Sequence, residues 1–335
     1  MLFRKPRSLT CRHYSAAGIS FLFVFTLLIL KPQAAAEPQV FLSSGSARPG
    51  EILLVSITGN HDSLPPSGRF RDLPLGFFRA SAGTYLALLG FDLEIATGTY
   101  RLEVETLAPA GTRHPWSREL AVEYKAFPTR KITVDQKYVT PKEDDNELAE
   151  REMARLTKIL SDFTTGNYLL ENFSTPVPKT RPSNFGERRI FNGIPKSPHS
   201  GVDLRAPKGT PVRAPAGGKV VLAAEFFYQG KIVAIDHGYG LFSYYMHLSE
   251  IPVKEGTVVS RGDLIGKVGR TGRASGPHLH WSVRVNSARV DPFSLLSLNL
   301  ERYLGAAPAR HKQRNKAAQK IKTKNKPQGK PKRPS

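Results

Sequence analysis

Apolar and polar positions alternate strictly along residues 98–106. Tyr100, Leu102 and Val104 fall on one side, and Arg101, Glu103 and Glu105 on the other. A period of two with one apolar side predicts a half-buried β-strand. Residues 119–124 alternate in the same way, and the apolar run 51–57 begins after a Pro49-Gly50 turn. Residues 37–127 are therefore expected to form a small β-sandwich of immunoglobulin-like size. The period then changes. Ala149, Met153, Leu156, Leu160 and Phe163 recur at three- and four-residue steps, which predicts an amphipathic helix over about residues 141–164. Thr140, Pro141 and Glu143 make a capping-box pattern at its start, acidic residues crowd the first turn, and Gly166 is placed to end it. The stripe is expected to pack on a neighbouring domain, a dimerising helix being the alternative.

Strand patterns return from about residue 170. The runs 219–222 and 231–236 are apolar, and a tight turn over 237–240 leads into 242–248, which predicts a hairpin. Further strand-turn units follow through Arg261-Gly262-Asp263 and Gly276-Pro277. The expected fold class is thus mainly β. An N-terminal sandwich (37–127) and a linker with the helix (128–169) precede a compact β-sheet domain (170–304). Residues 305–335 are rich in Lys, Pro, Gln, Asn and Ala, and are expected to be a disordered basic tail.

At 335 residues the chain has room for two cores. Its net charge of +21 would point to nucleic acid if it were spread over the fold. It is not. Five cations in residues 1–36 and eleven in 306–335, unmatched by any acid, leave +5 for the rest. Nucleic acid is therefore not an expected partner. The first 36 residues combine a basic start, an apolar run over 19–30 and Ala34-Ala35-Ala36. That is the pattern of a secretory signal peptide cleaved after Ala36, with an uncleaved membrane anchor as the alternative. The single cysteine, Cys11, lies in this segment. The mature chain would have no disulfide and no thiol chemistry, so any metal site must use nitrogen and oxygen ligands.

Five of the nine histidines lie between residues 199 and 280. His199 precedes Asp203 by four residues, with Ser200-Gly201 between them. His278 and His280 are one residue apart, and His247 stands between the two pairs in sequence. A catalytic zinc takes three protein ligands, commonly His and carboxylate, and keeps one open position. Two His and one Asp suffice for that, leaving two His to handle protons. If residues 277–285 form a strand, Leu279, Trp281, Val283 and Val285 face the core, and His278 and His280 share the opposite face. The same parity over 242–248 puts Phe242, Tyr244, Met246 and Leu248 in one row and Tyr245 and His247 in the other, the row expected to lie beside His278 and His280.

His199-x-x-x-Asp203 followed by His278-x-His280 resembles the motif pair of the lysostaphin/LytM-type zinc metallopeptidases of bacterial cell walls. The surrounding blocks agree over about residues 180–295: 197–207, 244–249, 266–272 and Val290-Asp291-Pro292. The resemblance implies one Zn²⁺ held by His199, Asp203 and His280, with His247 and His278 as catalytic histidines. It leaves open which of those two is the base, and it places His237 outside the site. It also implies an exported or periplasmic enzyme that hydrolyses peptide cross-links or stem peptides of peptidoglycan by metal-activated water. The basic tail, read apart from the resemblance, is either simply solvated or a tether to anionic wall or membrane polymers. The competing class is a non-catalytic envelope protein that binds peptidoglycan or activates a cell-wall amidase. Non-enzymatic relatives of that kind have lost these ligands.

Overall fold

Two N-terminal strands, Ile52–Thr58 and Thr84–Gly90, are apolar at successive positions and buried throughout their middles. An uninterrupted apolar strand belongs to a sheet covered on both faces. The computed structural model bears this out over the residues it describes (37–60, 64–107, 112–166, 168, 171–178 and 183–303). The expected signal segment, the basic tail and His61 lie outside those residues.

These two strands pair antiparallel at the centre of a four-stranded sheet, between Gln39–Leu42 and Phe78–Ser81. Leu53, Val55, Ile57, Tyr85, Ala87 and Leu89 point to one side. There they meet Phe70, Leu102, Val104, Leu120 and Val122 of a second, five-stranded sheet. This is the expected sandwich. Gly98–Leu107 and Arg113–Val122 pair antiparallel in the middle of that five-stranded sheet, with His114 on the latter strand. The opposite side of the four-stranded sheet is also dry. Ile52, Leu54, Leu86 and Leu88 join a large core that contains Leu241, Val283, Val285 and Val290 of the C-terminal half. Close approach at this junction requires Gly90. A Cβ there would lie 2.9 Å from the Cβ of Val285.

Polar contacts close the same seam. Asn286 Nδ2 donates to the Leu88 carbonyl (3.3 Å), and Asp291 N to that of Gly50 (2.8 Å). Arg289 grips Asp92 through Nε (3.0 Å) and Nη2 (2.6 Å), and Nη2 also reaches Glu94 at 2.5 Å. This partly buried fork should contribute more than a surface pair. Arg289→Ala is expected to lower unfolding stability by about 2 kcal/mol, read as a lower urea midpoint. An unchanged midpoint would show that the apolar seam holds without the fork.

The helix α1 spans Glu143–Ser161, shorter than expected at both ends. Lys142 occupies the N-cap and makes no side-chain cap bond, so the capping box at Thr140 does not form. Thr140 closes the preceding turn instead. Its N–H donates to the Gln136 carbonyl and its hydroxyl accepts from Gln136 Nε2, while Pro141 keeps residue 140 out of helical backbone. The C-terminal end also comes before Gly166. Residue 164 is pinned to the next hairpin by Thr164 Oγ1 donating to Asp236 (2.6 Å) and Tyr239 N donating to the Thr164 carbonyl (2.7 Å). Ala149, Leu156 and Leu160 are buried, whereas Met153 and Phe163 stay exposed. Leu156 and Leu160 pack on Phe226, Ile232, Ala234, Phe242 and Tyr244. The stripe thus covers one face of the C-terminal sheet, each leucine contributing roughly 2 kcal/mol of burial.

That sheet runs in the order Val202–Leu204, Leu279–Val285, Leu241–Glu250, Gly230–Asp236, Gly218–Phe226, Val258–Val259, with three short strands attached. The expected hairpin is present, with its turn between Asp236 and Leu241.

Candidate metal centre

Antiparallel register brings the first pair of residues together. Asp203 on Val202–Leu204 lies directly opposite His280 on Leu279–Val285. His199 approaches from the loop before, held by its backbone N–H donating to the Glu187 carbonyl. Gly201 makes that loop possible, because a Cβ there would lie 2.2 Å from Ser282 Oγ and 2.7 Å from His280 Nε2. The result is a cluster of three ligand atoms. His280 Nδ1 lies 2.9 Å from both Asp203 Oδ1 and His199 Nε2, and His199 Nε2 lies 3.1 Å from Asp203 Oδ1. Neighbouring ligand atoms in a tetrahedral zinc site are about 3.4 Å apart, given bonds near 2.1 Å. The trio His199, Asp203 and His280 therefore has the donor types and nearly the spacing of such a site.

The outer hydrogen bonds settle which atoms face inwards. His199 Nδ1–H donates to the Asn184 carbonyl (2.9 Å), leaving Nε2 to face the other two residues. His280 presents Nδ1, with Nε2 against Ser282 Oγ at 2.7 Å. Asp203 turns Oδ1 inwards, while Oδ2 accepts from Arg189 Nη2 (2.5 Å) and Asn184 Nδ2 (3.3 Å). Partners of this kind orient metal ligands and fix their tautomers. Burial opposes ionisation of Asp203, but His199, His280 and Arg189 outweigh it and hold its carboxyl well below the usual range. Burial above all lowers His280 to about 4. At neutral pH Asp203 is thus a carboxylate and His280 a neutral imidazole, the forms in which these groups bind a divalent cation.

His278 and His247 stand beside the trio. His278 Nε2 is 3.6 Å from Asp203 Oδ1, and the His247 ring centre is 4.9 Å from that of His278 and 6.1 Å from that of His280. Each donates Nδ1–H to a carbonyl at 2.8 Å, His247 to Thr271 and His278 to Gly276, leaving Nε2 as the basic nitrogen. Burial first, then His278 and His280, lower His247 to about 3.

His247 reaches this position by a route that strand parity misplaces. Tyr245 pairs with Trp281 and faces the core, and it is Met246 that lies opposite His280. Regular alternation would send His247 to the core side with Tyr245. Instead the register shifts between Lys231 and Val233 on the neighbouring strand, and His247 takes a left-handed backbone with φ of 63°. The bulge adds one residue and turns the imidazole to the histidine face. A non-glycine residue in this conformation is strained, and such strain gathers at functional sites.

His237 is placed elsewhere. Its Nδ1–H donates to the Gly217 carbonyl (2.6 Å), and its Nε2 accepts from the Ser243 hydroxyl (2.7 Å) inside the sheet. Burial lowers it to about 4. The unfolded chain, near 6.5, then binds the extra proton between those values, so stability falls as pH drops from about 6.5 to about 4. The loss is on the order of 3 kcal/mol. His237→Gln should flatten that window in urea midpoints taken against pH. A parallel acid-side fall in both proteins would remove His237 as its source.

A cavity of about 370 Å³ opens beside the trio, lined by His199, His247 and His280. Met153, Leu156, Thr157 and Leu160 of α1 form one wall. Among the described residues, none from the sandwich lines it. Asp203 and His278 face a second cavity, and Arg189 borders both. Asn184, Arg189, Thr271 and Ser282 carry no ligand-like spacing in the sequence. Only the register and the loop geometry bring them to the site.

Residues 197–292 match the profile of peptidase family M23. The chain is 44% identical over 110 residues to the peptidoglycan DD-endopeptidase ShyA of Vibrio cholerae, a stretch covering 32% of this chain and 26% of that protein. It is 44% identical over 97 residues to the DD-carboxypeptidase/endopeptidase Mpg of Neisseria meningitidis, covering 29% and 22%. The chain thus spans about a quarter of the length of the curated relatives it matches. A broader match is the crystal structure of a candidate peptidase M23 from Pseudomonas aeruginosa. It is 33% identical, with a TM-score of 0.58, over 76% of this chain and 95% of that one.

Proposed function

Since the chain belongs to peptidase family M23, we propose that it is an exported zinc endopeptidase that cuts peptide cross-links of peptidoglycan in the bacterial envelope. The observation that carries this reading is the trio of His199, Asp203 and His280, with two further imidazoles presenting Nε2 at its edge. The proposed domains are the sandwich (37–127), the linker with α1 (128–169) and the sheet domain that carries the trio (170–304). The basic tail is the candidate contact for anionic wall polymers.

When bound, zinc supplies Lewis acidity and an activated water near neutral pH. The protein's part is positioning and proton transfer. Asn184 and Arg189 hold Asp203 so that a single oxygen points inwards. The Nδ1–H groups of His247 and His278 are held by backbone carbonyls, so both rings turn Nε2 towards the reacting groups. One accepts the proton of the attacking water at Nε2, and the other, when its Nε2 carries a proton, hydrogen-bonds the carbonyl oxygen or protonates the leaving amine. A non-catalytic amidase activator has no need of this set, so the intact cluster favours the enzyme.

Digestion of purified sacculi with and without a chelator, with fragments identified by mass spectrometry, tests the proposal. Cross-linked dimers should disappear into monomers only when the metal is present. Intact cross-links under both conditions would favour the binding module.

A further inference from the structure

The cavity that holds the imidazoles also collects cations. Arg189, Lys196, Arg273 and Arg284 line it, and among the described residues no Asp or Glu does. Arg273 is the most constrained of the four. Its guanidinium carbon lies 4.5 Å from the centre of the Tyr228 ring and 5.0 Å from that of Phe191. Two aromatic rings therefore hold one guanidinium. Its backbone N–H donates to the Tyr228 carbonyl at 2.9 Å, which fixes the loop that carries it.

Stacking satisfies the faces of a guanidinium but not its in-plane N–H donors. No described carboxylate forms an ion pair with Arg273. Burial, with Arg189 nearby, instead lowers its pKa although Tyr228 opposes the shift. The neighbours are similarly underused. Arg189 gives Nη2 to Asp203 but its buried Nε has no partner, and neither has the buried Nε of Arg284. Partly desolvated cations with donors left unpaired are costly to gather in one place. An arriving anion would recover that cost, and a planar fork suits a carboxylate.

We propose that Arg273 anchors a subsite for a carboxylate of the peptide substrate, on the side of the metal trio walled by α1. This rests on the peptidase reading above and adds its specificity: the preferred peptide carries a free carboxylate near the scissile bond. Arg189 and Lys196 add positive potential to the same space, and the Phe191–Tyr228 clasp keeps the Arg273 fork in place. The apolar wall of Met153, Leu156 and Leu160 excludes water from the ion pair and strengthens it.

The test compares two substrates for the metal-loaded enzyme. One is a cross-linked stem-peptide dimer with free carboxylates, and the other is the same dimer with them converted to carboxamides. The wild type should favour the carboxylate form by about tenfold or more in kcat/KM, chiefly through KM. The ratio between substrates is the readout, because Arg273 shares a loop with Thr271, which orients His247, and any damage there slows both. Arg273→Gln should bring the ratio to within about twofold of one. Arg273→Lys, which keeps charge but loses the fork, should fall between. A wild-type ratio near one, or one unchanged in both variants, overturns the subsite and leaves the peptidase reading standing. Cleavage of neither dimer overturns the peptidase reading, and the subsite with it.

Discussion

Replacing His280 by alanine should remove the metal and the activity together. His280 is the centre of the trio, 2.9 Å from each of the other two ligand atoms. Without it, one imidazole and one carboxylate remain, too few to hold a catalytic zinc with an open position. The trio would also lose the Ser282 contact that orients it. Loss of the metal removes several kcal/mol of charge stabilisation from the transition state, so hydrolysis should fall by about a thousandfold or more. Asp203→Ala should behave in the same way, and it would also leave Arg189 without its carboxylate partner in a buried setting. Metal content per chain and turnover of cross-linked peptide, measured on the same preparation, check both variants. Full activity in the His280 variant, or normal metal content in either, would break the assignment of the ligands.

These residues were legible in the sequence because their spacing is chemical. His199 and Asp203 flank a small-residue turn, and His278 and His280 share a strand face by simple alternation. The pairing of Asp203 with His280 was not legible, since register depends on partners far apart in the chain. His247 shows the limit most clearly. Alternation assigned it to the row of Tyr245, which in fact faces the core. A bulge, set by the neighbouring strand and a left-handed residue, cannot be counted from period two. In the sandwich, alternation worked where one face meets solvent, as at Leu102 and Val104. The runs 52–57 and 85–89 did not alternate. That was itself the sign of a sheet buried on both faces, against the C-terminal core. The helix was found from its stripe, but its start was set by the turn that Thr140 closes onto Gln136 and its end by a long-range hydrogen bond from Thr164 to Asp236, neither of which the capping-box pattern encodes.

His247→Ala should keep the metal yet lose turnover, which separates proton transfer from metal binding. His247 is outside the ligand trio, so zinc content should match the parent within error. Its imidazole is neutral at working pH because burial and the adjacent His278 and His280 hold it near 3, and its Nδ1–H is committed to Thr271. A neutral nitrogen thus faces the reacting groups, and losing it should cost about 10²- to 10⁴-fold in rate. His278→Ala should cost a similar factor with metal retained. The double variant should lose little beyond the worse single if the two imidazoles serve one proton path, because residues acting as a unit are not additive. Multiplicative losses would mean two separate roles, a base for the attacking water and a donor to the carbonyl oxygen or the leaving amine. Loss of zinc in His247→Ala would instead move this imidazole into the ligand set. The strained bulge that delivers His247 would then be part of metal binding rather than of proton transfer.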